Sequence, residues 1–173
     1  MLRRKSRYNA DFIKKDSDLF MNLPSVNRST AVFWLFFVCA IALDQSIKLV
    51  ILSGFRWDSA PLSIILVLNK GAAFSLFAFL GERLKYIQAA LVLTAIAYVF
   101  WDGLIKRHSI PLGILLGAGC SNLLDRFVHG GVVDYVFWHY GFEFAVFNVA
   151  DALIDCSIVW IIYSYFKKPK IAA

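Results

Sequence analysis

Apolar runs long enough to cross a bilayer recur along this chain, and they decide what it can fold into. A helix needs about 20 consecutive apolar residues to span the hydrocarbon core. Residues 31–52, 84–105, 111–127 and 145–166 all come near that length. Inside lipid, backbone N–H and C=O groups have to be satisfied within the protein, so runs of this kind form helices. Composition agrees: 60% of the residues are hydrophobic and 17% charged, against about 45–50% apolar and about 25% charged in a soluble domain. With 173 residues, no room is left for a second soluble domain beside the spans.

A further run, residues 62–80 (LSIILVLNKGAAFSLFAFL), has spanning length but carries Asn69, Lys70 and Gly71 at its middle. A lysine at the centre of a membrane helix costs about 2.5–3.5 kcal/mol, and glycine weakens the helix further. The run is therefore read as an extended piece over Pro61–Leu68, a turn and a second interfacial piece. Charge placement points the same way. With four spans, the basic arm (Arg3, Arg4, Lys5, Arg7), the loop Lys106-Arg107-His108 and the tail Lys167-Lys168-Pro169-Lys170 all fall on one side. By the positive-inside rule that side is cytoplasmic. The outer side then holds residues 53–83 and 128–144, where Gly130-Gly131 precedes the strand-like VVDYVFW.

The expected fold class is an all-α membrane protein: four transmembrane helices, both termini cytoplasmic, and a small extended, β-like segment at the outer face. Residues 1–28 form a basic cytoplasmic arm able to touch anionic lipid heads, 29–168 the membrane domain and 169–173 a cytoplasmic tail. Ser29 and Thr30 are the expected cap of the first helix, which runs from about Ala31 to Leu52. Ala40-Ile41-Ala42 looks like a signal-peptide cleavage site, but the apolar run continues past it, so a span is preferred. The second helix is expected over Leu84–Ile105, the third from Pro111, behind the possible cap Ser109, to about Phe127, and the fourth over Ala145–Phe166. The net charge of +6 is a topology signal, and no aromatic-and-basic motif accompanies it, so no nucleic-acid partner is expected. Cys39, Cys120 and Cys156 lie in apolar runs without metal-ligand spacing and are expected to be buried small residues. No metal or organic cofactor is expected.

Ionisable groups inside spans are costly and mark function by default. Here they gather at one level. Asp44 and Lys48 sit in the outer half of the first helix, four residues apart and so on one face. Asn122, Asp125 and Arg126 end the third helix, and Asn148, Asp151 and Asp155 begin the fourth, with Asp134 between them. Gly113, Gly117, Ser121 and Asp125 recur at spacings of four, a stripe of small residues that lets helices approach closely and leads into the polar level. Asp44–Lys48 and Asp125–Arg126 read as neutralising pairs that glue helices. Asp134 and Asp151 have no basic partner at helical spacing. When two carboxylates approach they cannot both ionise easily, so they can share a proton. The ionised member can then draw a proton from water while the neutral one donates to a carbonyl oxygen.

At these positions the chain resembles the bacterial lipoprotein signal peptidase, or signal peptidase II, family. The similarity lies in ordered blocks: Asp44-Gln45-Ser46-Ile47-Lys48; Asn69-Lys70-Gly71-Ala72-Ala73-Phe74-Ser75; Asn122-Leu123-Leu124-Asp125-Arg126; Val132-Val133-Asp134-Tyr135; and Phe147-Asn148-Val149-Ala150-Asp151. The resemblance spans about residues 30–166 and implies a four-helix aspartic peptidase of the inner membrane, with its active site near the periplasmic face. The implied substrate is a prolipoprotein whose cysteine carries a diacylglyceryl group, cut just before that cysteine. The resemblance places the catalytic pair on Asp134 and Asp151. It places substrate-holding and shaping positions on Asn69, Gly71, Asn122, Arg126, Asn148 and Ala150, and supporting polar positions on Asp44, Lys48 and Asp125. Ser121 departs from the family's usual glycine and is small enough to be tolerated. Asp155 departs from a usually neutral position and is expected to shift the pair's titration or hold a structural water. The arm is also longer than typical. Two other readings are a catalytically inactive lipoprotein-binding paralogue and a small proton-coupled transporter. A transporter should carry acids through the bilayer's depth or show inverted repeats; the acids here stop in the outer half.

Overall fold

Asn27 starts the first helix, its side chain accepting a hydrogen bond from the Ser29 N–H at 3.2 Å. The cap thus falls two residues before the expected Ser29. The computed structural model describes residues 27–71 and 78–167. The arm up to residue 26, residues 72–77 with the whole Ala72–Ser75 part of the resemblance, and the tail from residue 168 lie outside the described residues.

The elements in chain order are α1 (Arg28–Leu52), β1 (Trp57–Asp58), β2 (Leu62–Asn69), a 3-10 turn (Ala78–Leu80), α2 (Arg83–Trp101), α3 (Ile105–Val128), β3 (Val132–Trp138) and α4 (Val149–Phe166). Helices α1, α2 and α4 are each long and apolar enough to cross a membrane. Helix α3 is one residue shorter than α1 but more polar, because it carries the buried polar face of the bundle. It packs chiefly against α1 and α4. Large apolar side chains such as Leu49, Leu91, Leu93 and Val159 point outward. That inside-out distribution suits a lipid surround.

The expected start of the third helix at Pro111 needs correction, since the helix begins at Ile105. Pro111 has no N–H for the Arg107 carbonyl and its ring crowds that oxygen. The result is a kink at His108 (φ −133°, ψ 37°) inside a continuing helix. The fourth helix also starts later than expected, at Val149 rather than Ala145. Phe147 is held instead by β3: the Val136 N–H donates to its carbonyl at 2.8 Å, and its own N–H donates back to the Val136 carbonyl at 3.1 Å.

The stripe of small residues on α3 meets α1. A Cβ added at Gly113 would lie 2.5 Å from the Phe33 carbonyl oxygen, and one at Gly117 would collide with the Phe37 carbonyl. Close backbone approach of this kind replaces the hydrophobic drive that helices lack in lipid. At the same end of the bundle Phe33, Val99, Ile105, Leu112 and Leu116 form the apolar core. The cysteines are not buried as expected: Cys39 and Cys156 are exposed on helix surfaces and Cys120 is half-buried. Those surfaces face outward, where an apolar side chain in a membrane helix belongs.

The sheet is antiparallel in the order β1-β2-β3. Register runs from Leu62 opposite Trp138 to Asn69 opposite Val132, with an irregularity between Ile64 and Val67. Ile64 pairs with Val136 and Val67 with Asp134, so β2 holds one extra residue there. A one-residue shift turns side chains to the other face. The bulge therefore puts Asn69 on the same face as Asp134, as its diagonal neighbour.

Candidate active site

The sheet supplies the first half of the site. Asn69 donates from Nδ2 to Asp134 Oδ2 at 3.0 Å, and its Oδ1 accepts the Gly71 N–H at 3.0 Å. Asp134 is 2% exposed. Burial, reinforced by the charge of Asp151, pushes its carboxyl up to about 6, against the lowering effect of the Asn69 and Asn148 amides and of Lys48. An acid at this value keeps its proton into a pH range where an ordinary aspartate is ionised.

The start of α4 supplies the second half. Asn148 and Asp151 form a reciprocal capping box: Asn148 Oδ1 accepts the Asp151 N–H at 2.9 Å, and Asp151 Oδ2 accepts the Asn148 N–H at 3.1 Å. The cap fixes where Asp151 points. Asn148 then reaches across to β3, donating from Nδ2 to Asp134 Oδ1 at 2.6 Å. Its second amide contact is Asn122 Oδ1 at 3.2 Å. Asn122 in turn donates from Nδ2 to Asp151 Oδ1 at 2.9 Å. The two carboxylates are thus bound to one another through two buried amides, Asn148 and Asn122.

Beneath them lies a charged cluster. Lys48 Nζ sits 2.6 Å from Asp44 Oδ2, 2.6 Å from Asp125 Oδ2 and 2.9 Å from Asn122 Oδ1. Asp44 Oδ1 accepts the Ala150 N–H at 2.9 Å, tying α1 to the first turn of α4. Asp125 accepts the Val133 N–H at 3.0 Å, tying α3 to β3. The pairing expected of Asp44 and Lys48 is present. Asp125 pairs with Lys48, not with Arg126 as expected, because adjacent residues on a helix do not face one another. Arg126 instead donates from its guanidinium to the Gly71 carbonyl. Its Nε is buried and has no hydrogen-bond partner among the described residues.

Asp134, Asp151, Asn69, Asn122 and Arg126 line one cleft of about 810 Å³. Asp44, Lys48, Gly71, Asp125, Asn148 and Ala150 stand behind its wall, within hydrogen-bond reach of the lining residues or of each other. The rest of the cleft is largely apolar, with Leu84, Ile87 and Leu91 of α2 facing Ala152 and Ile154 of α4. Asp155 lines it too, one turn along α4 from Asp151. Among the described residues no cluster of three or more His, Cys, Asp or Glu side chains is arranged to hold a metal ion. What the arrangement can do chemically is move protons beside an apolar groove.

Three participants were missed in the sequence. Gln45 donates from Nε2 to Ser121 Oγ at 2.9 Å and to Asp125 Oδ1 at 2.8 Å. Ser121 donates to Asp44 Oδ2 at 2.7 Å, so the residue taken as merely tolerated is a working member of the network. Its place on the small-residue stripe, one turn before Asp125, was the available signal. Tyr135 accepts the Val149 N–H at 3.1 Å, and burial pushes its hydroxyl up to about 12, so it stays protonated.

Comparison with known proteins follows the same residues. Positions 36–167 match the Peptidase_A8 family model, described as signal peptidase (SPase) II. The lipoprotein signal peptidase of Wolinella succinogenes is 54% identical over 78% of this chain and 92% of its own length. That of Campylobacter jejuni (strain RM1221) is 53% identical over 80% and 90%, and that of Helicobacter pylori (strain 26695) 48% identical over 86% and 96%. A bacterial membrane enzyme solved by the in meso method at 2.3 Å superposes with a TM-score of 0.67 at 24% identity, covering 83% of this chain and 95% of that one. It supports the fold. With the family model matching well over half of the sequence and relatives about half identical across nearly their whole length, the chain belongs to the signal peptidase II family.

Proposed function

We propose that this protein is an aspartic endopeptidase that removes the signal peptide from diacylglyceryl-modified prolipoproteins, cutting before the lipidated cysteine. The observation that carries the reading is the pair Asp134 and Asp151, held to each other through Asn148 and Asn122 at the mouth of an apolar cleft. The pair shares one proton. Its ionised member takes a proton from a water molecule, whose oxygen attacks the scissile carbonyl, while the protonated member donates to the carbonyl oxygen. Collapse of the tetrahedral intermediate returns a proton to the departing amine. Asn69, Asn148 and Asn122 fix the carboxylates. The Arg126 Nε–H, without a partner among the described residues, is a donor for a substrate carbonyl. The apolar groove between α2 and α4 takes the acyl chains, and Gly71 lets the segment around it approach the lipidated cysteine.

In this reading α3 is a fourth span, its polar face covered by α1, α4 and the sheet. The protein is a multi-pass component of the bacterial inner membrane, with both termini, the basic arm and the tail in the cytoplasm. The sheet and the aspartates lie at the periplasmic face. The transporter reading finds no polar path through the bundle: the core of Phe33, Val99, Ile105, Leu112 and Leu116 is apolar, and Asp102 stands beyond it, at the far end of α2.

The test is signal-peptide release by the purified full chain in liposomes, with matched prolipoproteins bearing or lacking the diacylglyceryl group. Release from the lipidated substrate alone is expected. No release from it, or binding without turnover, sinks the peptidase reading. The elevated Asp134 value adds a pH signature. Because the pair titrates as a unit, kcat/KM should follow a bell. Its alkaline limb should lie near pH 6, where the shared proton is lost. Below that limb the proton is present; above it kcat/KM falls about tenfold per pH unit. A profile flat between about pH 5 and about pH 8 contradicts proton sharing by this pair.

A further inference from the structure

The opposite end of the bundle holds a second cleft, unrelated to the aspartates. It lies between the kinked start of α3 and the end of α4, with a volume of about 490 Å³. Arg107 and Lys167 line it together with His108, Ser109, Ser164 and Trp160, and no carboxylate is among its lining residues. Neither Arg107 nor Lys167 makes an ion pair among the described residues; Lys167 Nζ rests 5.4 Å from the centre of the Tyr163 ring. Asp151 and Lys167 stand at the two ends of α4, roughly 24 Å apart at 1.5 Å per residue. The two clefts are therefore about a bilayer core's thickness apart.

The local fold explains the cavity. Pro111 breaks the hydrogen-bond pattern one turn upstream, and the break at His108 swings the Ile105–Arg107 turn off the axis of the rest of α3. That leaves a gap beside the last turn of α4 rather than continuous helix packing. The gap is bordered by a half-exposed Trp160, a residue type that favours the headgroup level. A basic, acid-free gap between spans at that level suits a phosphate-bearing headgroup.

We propose that this cleft binds the phosphodiester headgroup of an anionic glycerophospholipid from the leaflet opposite the active site, with Arg107 and Lys167 taking the phosphate and Trp160 lying along the glycerol and upper acyl chain. The proposal rests on the four-span reading and is independent of the peptidase chemistry.

Native mass spectrometry of the full chain in detergent, titrated with phosphatidylglycerol or phosphatidylcholine of the same acyl chains, tests it. Phosphatidylglycerol is expected to bind more tightly. The double variant Arg107→Gln/Lys167→Gln should weaken that binding roughly tenfold to thirtyfold, while Arg107→Lys/Lys167→Arg keeps it. Neutralising the arm instead (Arg3, Arg4, Lys5 and Arg7→Gln) should leave one preferential phosphatidylglycerol in place. Both targeted residues are exposed at helix ends, so the variants should keep wild-type melting and wild-type substrate cleavage in micelles. Intact cleavage with lost lipid preference supports the site. Equal binding of the two lipids by wild type, a preference unchanged in the double variant, or one abolished by the arm variant overturns it. Displacement of phosphatidylglycerol by millimolar inorganic phosphate also overturns it, in favour of a free-anion site.

Discussion

Asp134→Asn and Asp151→Asn are each expected to slow signal-peptide release by about a thousandfold or more while leaving the protein folded. General acid–base catalysis is worth about 10²–10⁴-fold, and in the proposed mechanism both roles fall on one coupled pair, so either change removes the shared proton. Asparagine has the shape of aspartate, and the surrounding partners limit the structural damage. Asp134 accepts from the Asn69 and Asn148 amides at 3.0 and 2.6 Å. An asparagine there keeps one of those bonds and turns its amide NH2 toward the other donor. Asp151 accepts from the Asn122 amide and the Asn148 N–H, so Asp151→Asn likewise keeps one acceptor. The cap survives in part, because the Asn148 side chain still receives the residue 151 N–H. Binding of the lipidated substrate should therefore persist: kcat falls while KM changes little. Retention of near-wild-type turnover by either variant would remove that aspartate from the chemistry. Loss of activity together with loss of cooperative melting would show only that the residue supports the fold.

Much of this site was legible before any coordinates, for a physical reason. Lipid penalises polar groups so heavily that those remaining inside spans mark where protein faces protein. Asp44 and Lys48, at helical spacing in an apolar run, had little choice but to pair. The cost of Lys70 at mid-span identified Pro61–Leu68 as extended backbone, and β2 runs over Leu62–Asn69. What could not be read was contact between elements. The apolar run through Phe147 looks the same in a helix as in a bridge to β3, so the start of α4 was placed too early. The extra residue between Ile64 and Val67, which turns Asn69 toward Asp134, leaves no mark in composition. The partnership of Asp125 with Lys48 requires α1 and α3 to lie side by side, and Gly113 and Gly117 permit this without announcing which carbonyls they meet. The identity of the reaction came from the resemblance of ordered blocks; spacing alone left the meeting of Asp134 and Asp151 open.

Lys48→Met should be the most damaging substitution outside the cleft, lowering stability by about 3–5 kcal/mol. Lys48 is 1% exposed and the two carboxylates it touches are equally buried. Removing the ammonium leaves Asp44 and Asp125 close together with no cation between them, and desolvated charge of one sign has no compensation in a low-dielectric interior. Methionine fills most of the stem's volume, so the loss reports charge rather than a cavity. On the usual scaling for a chain of this size the melting temperature falls on the order of 10 °C. Activity should fall too, because Lys48 Nζ also holds Asn122 Oδ1, the amide that positions Asp151. The diagnostic comparison is Asp44→Asn/Lys48→Met. It removes one charge of each sign, leaves Asp125 with the Gln45 amide and the Val133 N–H, and lets residue 44 still accept the Ala150 N–H. The double variant should melt higher than Lys48→Met alone, a coupling measurable as a double-mutant cycle. If Lys48→Met melts within a degree or two of wild type, the cluster is not held by this charge. If the double variant is less stable than both singles, hydrogen bonding by Asp44 outweighs the charge balance and the order of the two effects is reversed.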